Sequence, residues 1–425
     1  MSSSVHVSPS NPLPASCADD YDPQSLGVDE ALGRIDHLIK PIQGRERVAL
    51  RSALERVLAE AVYSPFDVPA HTNSAIDGFA VASRDLDAGR RIFRVVGKAL
   101  AGSPYSDPVA QGQAVRIMTG AMMPVGSDVA VMQEHTRTTD GQVEILQDYR
   151  AGQNVRRRGE DLTEGSAVLG AGRRLTPADL GLLASLGFAE VSVARRLRVA
   201  FFSTGDELRS LGETLGPGEI FDSNRYTLYG MLSHLGVEMV DMGVVRDRRE
   251  DLLEALGQAA TRNDAVITSG GVSVGEADFV KDTLNTLGKV DFWKIAMKPG
   301  RPLAFGTVGD AVFFGLPGNP VSVMVTFYYF VRPALLRMMG QAAEPLAAFE
   351  VPCTTRLKKR PGRREFQRGV LELTPTGWVV HGTGDQGSGI LRTMSEANCF
   401  IVLDEASQGV EAGSEVMVQP FRGVL

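Results

Sequence analysis

The sequence predicts an α/β fold combined with β-rich domains, and three observations support this class. Strand-like and helix-like segments alternate from about residue 195 to 340, which is typical of a mostly parallel sheet covered by helices. Short β-type runs separated by Gly, Pro and Asp lie before and after this region, from about 65 to 154 and beyond about 344. The length of 425 residues suits about three domains.

Changes of pattern along the chain set the predicted domain limits. The Ser-, Pro- and Asp-rich start is expected to be disordered, because such segments rarely bury enough apolar surface to fold. Apolar residues at helical spacing predict helices over 28–39 and 48–61, and Thr176 followed by Pro177 predicts the start of another helix. The predicted parts are a disordered tail (1–23), a mixed helical and β domain I (24–64 and 155–194), an inserted β-rich domain II (65–154), an α/β domain III (195–343) and a C-terminal β domain IV (344–425).

The composition is that of an ordinary globular protein, with 43% hydrophobic and 22% charged residues. The net charge of −7 argues against a general nucleic-acid binder, which needs clustered Lys and Arg. The three cysteines are far apart, which suits a reducing compartment. The N-terminus lacks the features of a secretory signal, and the apolar stretch 321–331 is too short to span a bilayer and predicts a buried helix. We therefore expect a cytoplasmic protein with neither nucleic acid nor membrane as partner.

Three predicted strands of the α/β domain end in loops rich in Gly, hydroxyls and carboxylates. The strand-to-loop transitions are 198–202 into STGDE (203–207), 265–268 into SGGVSVGEAD (269–278) and 311–314 into GLPGNP (315–320). Because the carboxyl ends of parallel strands meet at one edge of a sheet, we expect these loops to converge on a ligand. Gly270 and Gly271 would let backbone N–H groups approach an anion without a Cβ in the way.

The carboxylates of these loops leave two interpretations open. Glu276 and Asp278 either bind a divalent cation or ligand N–H groups, or they only complement the dipole of the helix that follows. Asp206 and Glu207 could be ordinary capping acids, and for Asp206 we favour that interpretation.

The GLPGNP loop has a partial structural explanation. Asn319 is expected to cap the next helix and Pro320 to occupy its first turn. That explanation leaves out Pro317 and Gly318, which indicate a rigid loop that comes close to a ligand.

Two groups of cations accompany these loops. Lys294, Lys298 and Arg301 lie in one short window, and they are either solvated surface residues or ligands for oxyanions. The run RRRGED, residues 156–161, is typical of an exposed charged face.

Several common motifs are absent or incomplete. GTGDQG, residues 382–387, matches the dinucleotide fingerprint, but the segment after it supports only a short helix, so we predict a turn-rich loop. The sequence contains no GxxxxGK[ST], HExxH or GxSxG motif. Soft metal ligands are missing from the loops, so a bound metal would be a hard cation such as Mg²⁺.

The order of motifs along the chain resembles one family, the molybdopterin molybdenumtransferases (MoeA), to which the E-domain of gephyrin belongs. The resemblance extends from about residue 25 to the C-terminus and rests on many motifs in the same order. They are HTNSAIDGFAV, RIMTGAMMP, NVRRRGEDL, FFSTGDEL, DSNRYTL, VVRDRRED, ITSGGVSVGEADF, FWKIAMKPGRP and FFGLPGNPVS. Ile76 and Phe79 stand where related proteins often have Met and Tyr, and both changes conserve size.

The resemblance implies an elongated four-part chain that forms a homodimer and has a central three-layer α/β molybdopterin-binding domain. It places the active cleft between this domain and the inserted β-rich domain of the other subunit. The implied reaction converts adenylylated molybdopterin and molybdate into molybdenum cofactor, releases AMP and needs Mg²⁺. The molybdopterin adenylyltransferase is a further possible partner.

The resemblance also implies the site residues. Those implied to be catalytic are Asp77, Thr119, Glu207, Asp278, Lys294 and Lys298, of which Asp77 and Thr119 would come from the other subunit. Those expected to bind substrate are Arg156, Asp161, Ser269, Gly270, Gly271, Ser273, Arg301, Pro317, Gly318, Asn319 and Pro320. The implied Mg²⁺ ligands are Glu207, Asp247 and Asp278.

Three alternatives remain open at the level of the sequence. A molybdopterin adenylyltransferase would use a similar α/β domain, but it is typically one compact domain without the long β-rich segments. A non-catalytic scaffold with the same fold would not need the acidic and basic residues that the chain retains. A nucleotide-binding protein would use the GTGDQG loop and would bind NAD tightly.

Overall fold

The computed structural model describes residues 22–271, 277–341 and 346–421, and for residues 277–281 it describes the backbone alone. The chain divides into two compact units. The large unit contains the chain up to Glu46 and from Ala194 onward, and the small unit spans Arg47–Val193. Residues 1–21 of the predicted disordered tail lie outside the described residues.

A six-stranded mixed sheet forms the centre of the large unit. Its strands, in spatial order, are Glu238–Val245, Arg198–Thr204, Ala265–Ser269, Ala311–Leu316, Pro302–Val308 and Gly288–Lys294. The first four strands are parallel, whereas Pro302–Val308 pairs antiparallel with both of its neighbours, Ala311–Leu316 and Gly288–Lys294. Strands Ala265–Ser269 and Ala311–Leu316 are buried at every residue, as expected of a sheet with both faces covered.

Neighbouring side chains of each central strand point into two different cores, which gives the domain three layers. Phe201 packs with the core of helix Ser223–Leu235, whereas Phe202 packs with the core of helix Arg249–Arg262. The helices of the large unit are Val28–Leu38, Ser223–Leu235, Arg249–Arg262, Ala277–Leu287, Pro320–Thr326, Arg332–Met338 and Leu391–Glu396. The alternation of strands and helices predicted from the sequence is confirmed.

A second six-stranded sheet lies in the C-terminal part of the large unit, and its sixth strand, Gly377–Gly382, pairs with Arg364–Thr374 outside the linear order of the other five. Its spatial order is Met297–Lys298, Arg364–Thr374, Cys399–Leu403, Glu415–Pro420 and Phe349–Pro352. Two short pairs complete the unit, Leu208–Arg209 with Ile220–Phe221 and Leu357–Lys358 with Gly409–Val410. The pairing of Met297–Lys298 with Arg364–Thr374 brings a segment of the α/β part alongside this sheet.

The predicted buried helix over 321–331 is confirmed, and it joins the two sheets. Helix Pro320–Thr326 continues through a π-helical turn, Phe327–Val331, into helix Arg332–Met338. Tyr329 stacks on Phe366 of the C-terminal sheet with ring centroids 4.0 Å apart. One hydrophobic core therefore extends from the α/β layers into the C-terminal sheet.

The small unit is built around another six-stranded sheet. Its spatial order is Val129–Met132, Gly78–Val81, Gln113–Ile117, Ile92–Ala99, Gln142–Ile145 and Thr136–Thr139. Short pairs within the unit are Val62–Tyr63 with Ala167–Leu169 and Asn73–Ser74 with Val155–Arg156, and Arg45–Ala49 pairs with Glu190–Ala194 where the chain enters and leaves the unit. Gly78 is required at its position, because a Cβ there would lie 1.8 Å from the carbonyl oxygen of Val131. The β-rich character predicted for this region is confirmed.

Of the two helices predicted in the small unit, one is confirmed and the other is wrong. Helix Pro177–Ser185 begins as expected, with Thr176 and Asp179 forming a reciprocal capping box. The helix predicted over 48–61 is wrong: after a 3₁₀ turn at Leu50–Ser52, Val57 and Leu58 form bridges with residues far along the chain. The apolar spacing reflects burial against these distant neighbours, and tertiary contacts override local periodicity.

Asp264 anchors the start of the central sheet of the large unit. Arg195 donates to its two carboxylate oxygens at 2.7 and 2.8 Å, and the backbone N–H of Arg198 donates at 2.8 Å. Burial raises the pKa of Asp264, but these donors outweigh burial and hold the pKa below its ordinary value. Asp264 therefore stabilises the fold above the unfolded-state pKa of about 4, and this contribution is lost as the pH falls through the lower folded-state pKa.

Asp264→Asn is expected to lower the free energy of unfolding by about 2 kcal/mol at neutral pH, because charge-assisted hydrogen bonds are lost. Urea unfolding at several pH values measures this, and the difference from wild type should shrink below about pH 4. Asp36→Asn is the control, because Asp36 pairs with Arg337 at the surface and should contribute less than about 1 kcal/mol. Equal effects of the two substitutions would contradict the structural role of Asp264.

Among the residues described, no helix has both the length and the apolar character needed to cross a membrane.

Candidate active site

A cleft of about 1570 Å³ opens in the large unit. One side is formed by the carboxyl ends of the central parallel strands, and the other by residues 355–367 and 382–391 of the C-terminal part. Ligand pockets for small molecules usually measure about 300–1,000 Å³, so this cleft has room for a larger ligand.

Two carboxylates lie on the strand-end side of the cleft. Glu207 is exposed and follows strand Arg198–Thr204, where its carboxylate lies over Gly205. Asp247 follows the neighbouring strand and accepts a hydrogen bond from the hydroxyl of Thr204. Both carboxylates are hard oxygen donors of the kind that Mg²⁺ prefers. In the part of the chain with described side chains, no group of three or more possible metal ligands occurs.

The glycine loops meet at backbone distance on the same side. Gly270 has a φ of +92°, and a Cβ there would lie 2.4 Å from the carbonyl oxygen of Thr204. A Cβ at Gly318 would lie 4.0 Å from the Cα of Gly270, so the second and third loops lie against each other. The backbone N–H of Gly270 donates to Leu316 at 3.1 Å. Only glycine permits this approach at position 270.

Asn224, which is not among the predicted site residues, connects these loops to helix Ser223–Leu235. Its Nδ2 donates to Ser269 Oγ at 2.8 Å and to the carbonyl oxygen of Gly318 at 2.7 Å. A carbonyl oxygen can only accept, so the orientation of the Asn224 amide is fixed. Asn224 lines the cleft and is 8% exposed. A polar residue on the apolar face of its helix, four positions before Leu228, was the available sequence signal.

Asn319 occupies the N-cap position of helix Pro320–Thr326, as predicted, but its side chain does not cap the helix. Its Nδ2 instead donates to Ser388 Oγ at 3.1 Å, and the N–H of Val321 donates to the carbonyl oxygen of Ser388 at 3.1 Å. The expected capping bond is therefore wrong. The side chain connects the GLPGNP loop to the segment that contains GTGDQG.

After Gly382, which ends a strand, the GTGDQG segment is an irregular loop, and most of it lines the cleft. Arg368, which is 1% exposed, donates to the carbonyl oxygens of Asp385, Gln386 and Gly387 at 2.9–3.2 Å and to Thr393 Oγ1 at 3.1 Å. Burial lowers the pKa of Arg368 to about 10. Arg368 lies two positions after the buried Phe366 in strand Arg364–Thr374, and this alternation could have indicated an inward-facing arginine.

The three predicted cations are divided between the cleft wall and its surroundings. Lys298 and Arg301 line the cleft, and Lys298 Nζ lies 4.0 Å from Glu365 Oε1. Lys294 is outside the lining residues, at the end of strand Gly288–Lys294. Its Nζ lies 3.5 Å from Asp22 Oδ2, and the same oxygen lies 3.3 Å from Arg301 Nη2.

The cleft brings together most of the predicted site residues of the large unit. They are Glu207, Asp247, Ser269, Gly270, Gly271, Lys298, Arg301, Pro317, Gly318, Asn319 and Pro320. Ser273 and the side chain of Asp278 lie outside the described residues.

The four remaining predicted residues belong to the small unit. Asp77 Oδ1 accepts hydrogen bonds from the backbone N–H and the hydroxyl of Thr119, both at 2.7 Å, and these bonds hold the pKa of Asp77 below its ordinary value. Arg156 lies opposite Asn73 in a two-stranded pair. Asp161 is exposed, and its backbone N–H donates to Val68 at 3.0 Å.

Comparison with known proteins covers nearly the whole chain. Residues 26–187 match the MoeA N-terminal region (domain I and II), residues 200–337 a probable molybdopterin binding domain, and residues 350–421 the MoeA C-terminal region (domain IV). The molybdopterin molybdenumtransferase of Haemophilus influenzae is 44% identical over 404 residues, which cover 94% of this chain and 100% of that protein. The enzyme of the same name from a Nostoc species is 38% identical over 387 residues, 88% of each chain.

Solved structures agree with these matches. The molybdopterin biosynthesis MoeA protein of Pyrococcus horikoshii superimposes with a TM-score of 0.82 at 28% identity, covering 93% of this chain and 100% of that chain. The multidomain α/β and β-rich fold class and the resemblance found in the sequence are both confirmed. The chain therefore belongs to the molybdopterin molybdenumtransferase (MoeA) family of enzymes.

Proposed function

We propose that this enzyme inserts molybdenum into molybdopterin, using molybdate and adenylylated molybdopterin as substrates and releasing AMP. The observation that carries the proposal is one cleft whose wall combines glycine loops, carboxylates and cations. Glu207 and Asp247 lie on its strand-end side, and Lys298 and Arg301 line the same cleft.

The positive charges in the cleft lining are complementary to the negative charges of these substrates. Molybdate is a dianion and the adenylylated substrate carries a pyrophosphate, so the reaction brings like charges together. Lys298 would act as a point charge and Arg301 as a two-pronged donor that offset this repulsion. The backbone N–H of Gly271 would be offered to an anion, since no Cβ blocks its approach, whereas the N–H of Gly270 already donates to the carbonyl oxygen of Leu316.

We infer that Mg²⁺ binds to Glu207 and Asp247, with Asp278 as a further predicted ligand. Mg²⁺ in nucleotide sites commonly uses one or two carboxylates together with substrate phosphates, and the two described carboxylates fit this pattern. When bound, Mg²⁺ would neutralise charge on the pyrophosphate and polarise it. Thr204 would keep the carboxylate of Asp247 oriented through its hydroxyl hydrogen bond.

We also infer a cytoplasmic homodimer in which Asp77 and Thr119 of one subunit complete the cleft of the other. Four large apolar or aromatic residues that lie close together in the sequence, Ile220, Phe221, Tyr226 and Tyr229, are each between 42% and 54% exposed, and their exposure supports a partner that covers them. Ile220 and Phe221 also line the cleft. The molybdopterin adenylyltransferase, as supplier of the adenylylated substrate, would be a transient partner.

The activity of dimers that contain two different variants tests whether each active site is built from both subunits. Asp77→Ala and Lys298→Ala are each expected to be nearly inactive, but random exchange of their subunits should restore roughly a quarter of the wild-type rate. Half of randomly formed dimers are mixed, and each mixed dimer has one intact site. No recovery with confirmed subunit exchange would contradict a site built from two subunits.

The reaction itself is tested with purified protein, adenylylated molybdopterin and Mg²⁺, with and without molybdate. We expect AMP release that depends on molybdate and equals the amount of molybdenum bound to the pterin. Formation of adenylylated product from ATP and molybdopterin would instead indicate an adenylyltransferase. No reaction in either assay, together with failure to restore molybdoenzyme activity in a strain lacking its molybdenum-inserting enzyme, would indicate a scaffold.

Asn224→Ala is expected to slow AMP release and to lower the free energy of unfolding by about 1–3 kcal/mol, because the Gly318 carbonyl loses its buried donor. Asn224→Asp should be at least as harmful, since a carboxylate would face that carbonyl oxygen. Initial rates and urea unfolding measure the two effects. Asn263→Ala is the control, because Asn263 follows helix Arg249–Arg262, donates to the carbonyl oxygen of Ala259 in that helix and lies outside the cleft lining. Wild-type rates for both Asn224 variants would show that the loops do not depend on this amide.

A further inference from the structure

Asp22 lies between two cations that the proposed reaction assigns to anion binding. Its Oδ2 is 3.3 Å from Arg301 Nη2 and 3.5 Å from Lys294 Nζ. Its Oδ1 accepts the backbone N–H of Gln24 at 3.0 Å, so one carboxylate oxygen is held locally and the other is shared by the cations. The Gln24 N–H, and then Lys294 and Arg301, hold the pKa of Asp22 below its ordinary value, so this group is a carboxylate at neutral pH.

The segment that carries Asp22 is anchored to the large unit. The backbone N–H of Leu26 donates to the carbonyl oxygen of Lys294 at 2.8 Å, and the N–H of Ala296 donates back to Leu26 at 2.8 Å. Helix Val28–Leu38 follows and buries Val28, Ala31 and Ile35 in the main core. The position of Asp22 beside Lys294 is therefore set by backbone pairing four residues away.

We propose that Asp22 is an internal competitor of the anionic substrate: its carboxylate occupies Lys294 and Arg301 when the cleft is empty, and an incoming oxyanion displaces it. This inference rests on the proposed function, because it needs these cations to bind an oxyanion. Arg301 lines the cleft and is therefore shared between Asp22 and any anion bound there. Asp22 thus sets the concentration of oxyanion that the enzyme needs.

The geometry indicates a contact that an oxyanion can displace. Strong charge-assisted hydrogen bonds measure about 2.7–2.9 Å, and both cation distances at Asp22 are longer. The side chain of Lys294 is 45% exposed, so water screens its ion pair. A tetrahedral dianion offers the cations more charge and more acceptor oxygens than one carboxylate oxygen does. It can replace Oδ2 at the two cations while Oδ1 of Asp22 stays bonded to the Gln24 N–H.

Asp22→Asn tests the proposal, because it removes the charge without changing the shape of a surface residue. We expect the KM for molybdate in AMP release to fall about three- to tenfold, which corresponds to losing two partly exposed ion pairs, with kcat unchanged. Asp36→Asn is the matched control: Asp36 is also a surface partner of an arginine, but Arg337 lies outside the cleft lining. It should leave KM at the wild-type value.

Direct binding separates this inference from the proposed function. Calorimetric titration with molybdate, without the pterin substrate, should show tighter binding to Asp22→Asn than to wild type, and the difference should shrink at high salt. Molybdate binding can be measured even if no AMP is released. Absence of AMP release would count against the proposed function but not against the role of Asp22. Equal or weaker molybdate binding by Asp22→Asn, or no binding by either protein, would overturn the role of Asp22.

Discussion

Lys298→Ala is expected to lower the rate of molybdate-dependent AMP release by about 10²–10³-fold, the usual effect of removing one preorganised charge from a reacting site. Lys298 lines the cleft, and its ammonium group lies 4.0 Å from Glu365 Oε1, a carboxylate that is itself buried. Without the lysine, that carboxylate would face the anionic substrates with less compensation. The loss should appear mainly in kcat, because charge builds up as the phosphoanhydride breaks.

Single-turnover rates at saturating substrate measure this effect. Lys289→Ala removes an equal charge from an exposed position of the central sheet, outside the cleft lining, and should keep the wild-type rate. Lys298→Arg should recover only part of the rate, since a planar guanidinium does not replace a compact ammonium group. A Lys298→Ala rate within a factor of about three of wild type would remove Lys298 from the chemistry.

Arg368→Ala is expected to have the largest effect on stability, about 3–5 kcal/mol in the free energy of unfolding. The substitution removes a fully buried side chain and leaves the carbonyl oxygens of Asp385, Gln386 and Gly387 without their donor. An unsatisfied buried acceptor costs about 1–3 kcal/mol, and the cavity adds to this cost. Because the same loop lines the cleft, activity should fall at temperatures where the variant is still folded.

Urea unfolding and AMP release measured below the unfolding midpoint check both parts of this expectation. Arg392→Ala serves as comparison, since Arg392 belongs to the next helix and makes only an exposed pair with Glu396. Such pairs contribute about 0.3–0.5 kcal/mol. An unchanged unfolding midpoint for Arg368→Ala would mean that water satisfies the three carbonyl oxygens equally well.

The central α/β layers could be predicted because their signals are local. Strand Ala265–Ser269 begins with the apolar run Ala265–Ile267, and glycines follow directly after it, so both the buried strand and the ligand edge follow from neighbouring residues. In the small unit, the start of helix Pro177–Ser185 could likewise be predicted from its own capping residues. The domain limits drawn from the sequence, and the roles of the individual site residues, stay predictions.

The remaining features depend on contacts between residues far apart in the chain. Arg368 and Asn224 are ordinary polar residues by sequence, and only the folded chain shows that each serves several loops at once. The helix expected over 48–61 failed because Val57 and Leu58 pair with distant segments. Asp22 belongs to a stretch expected to be disordered, and its neighbourhood depends on the pairing of Leu26 with Ile295. The resemblance implied Asp77 and Thr119 as site residues, but the hydrogen bonds between them could not be read from the sequence.

The aromatic contacts between the π-helical turn and the C-terminal sheet have a consequence for how ligands enter. Tyr328 and Tyr329 pack edge-on or tilted against Phe400 and Phe366, with centroids 4.0–6.1 Å apart, so the two faces of the cleft share one close-packed interior. Swinging these faces apart would expose those rings to water at a cost of several kcal/mol. Substrates must therefore enter and leave through an opening whose width stays nearly constant during turnover.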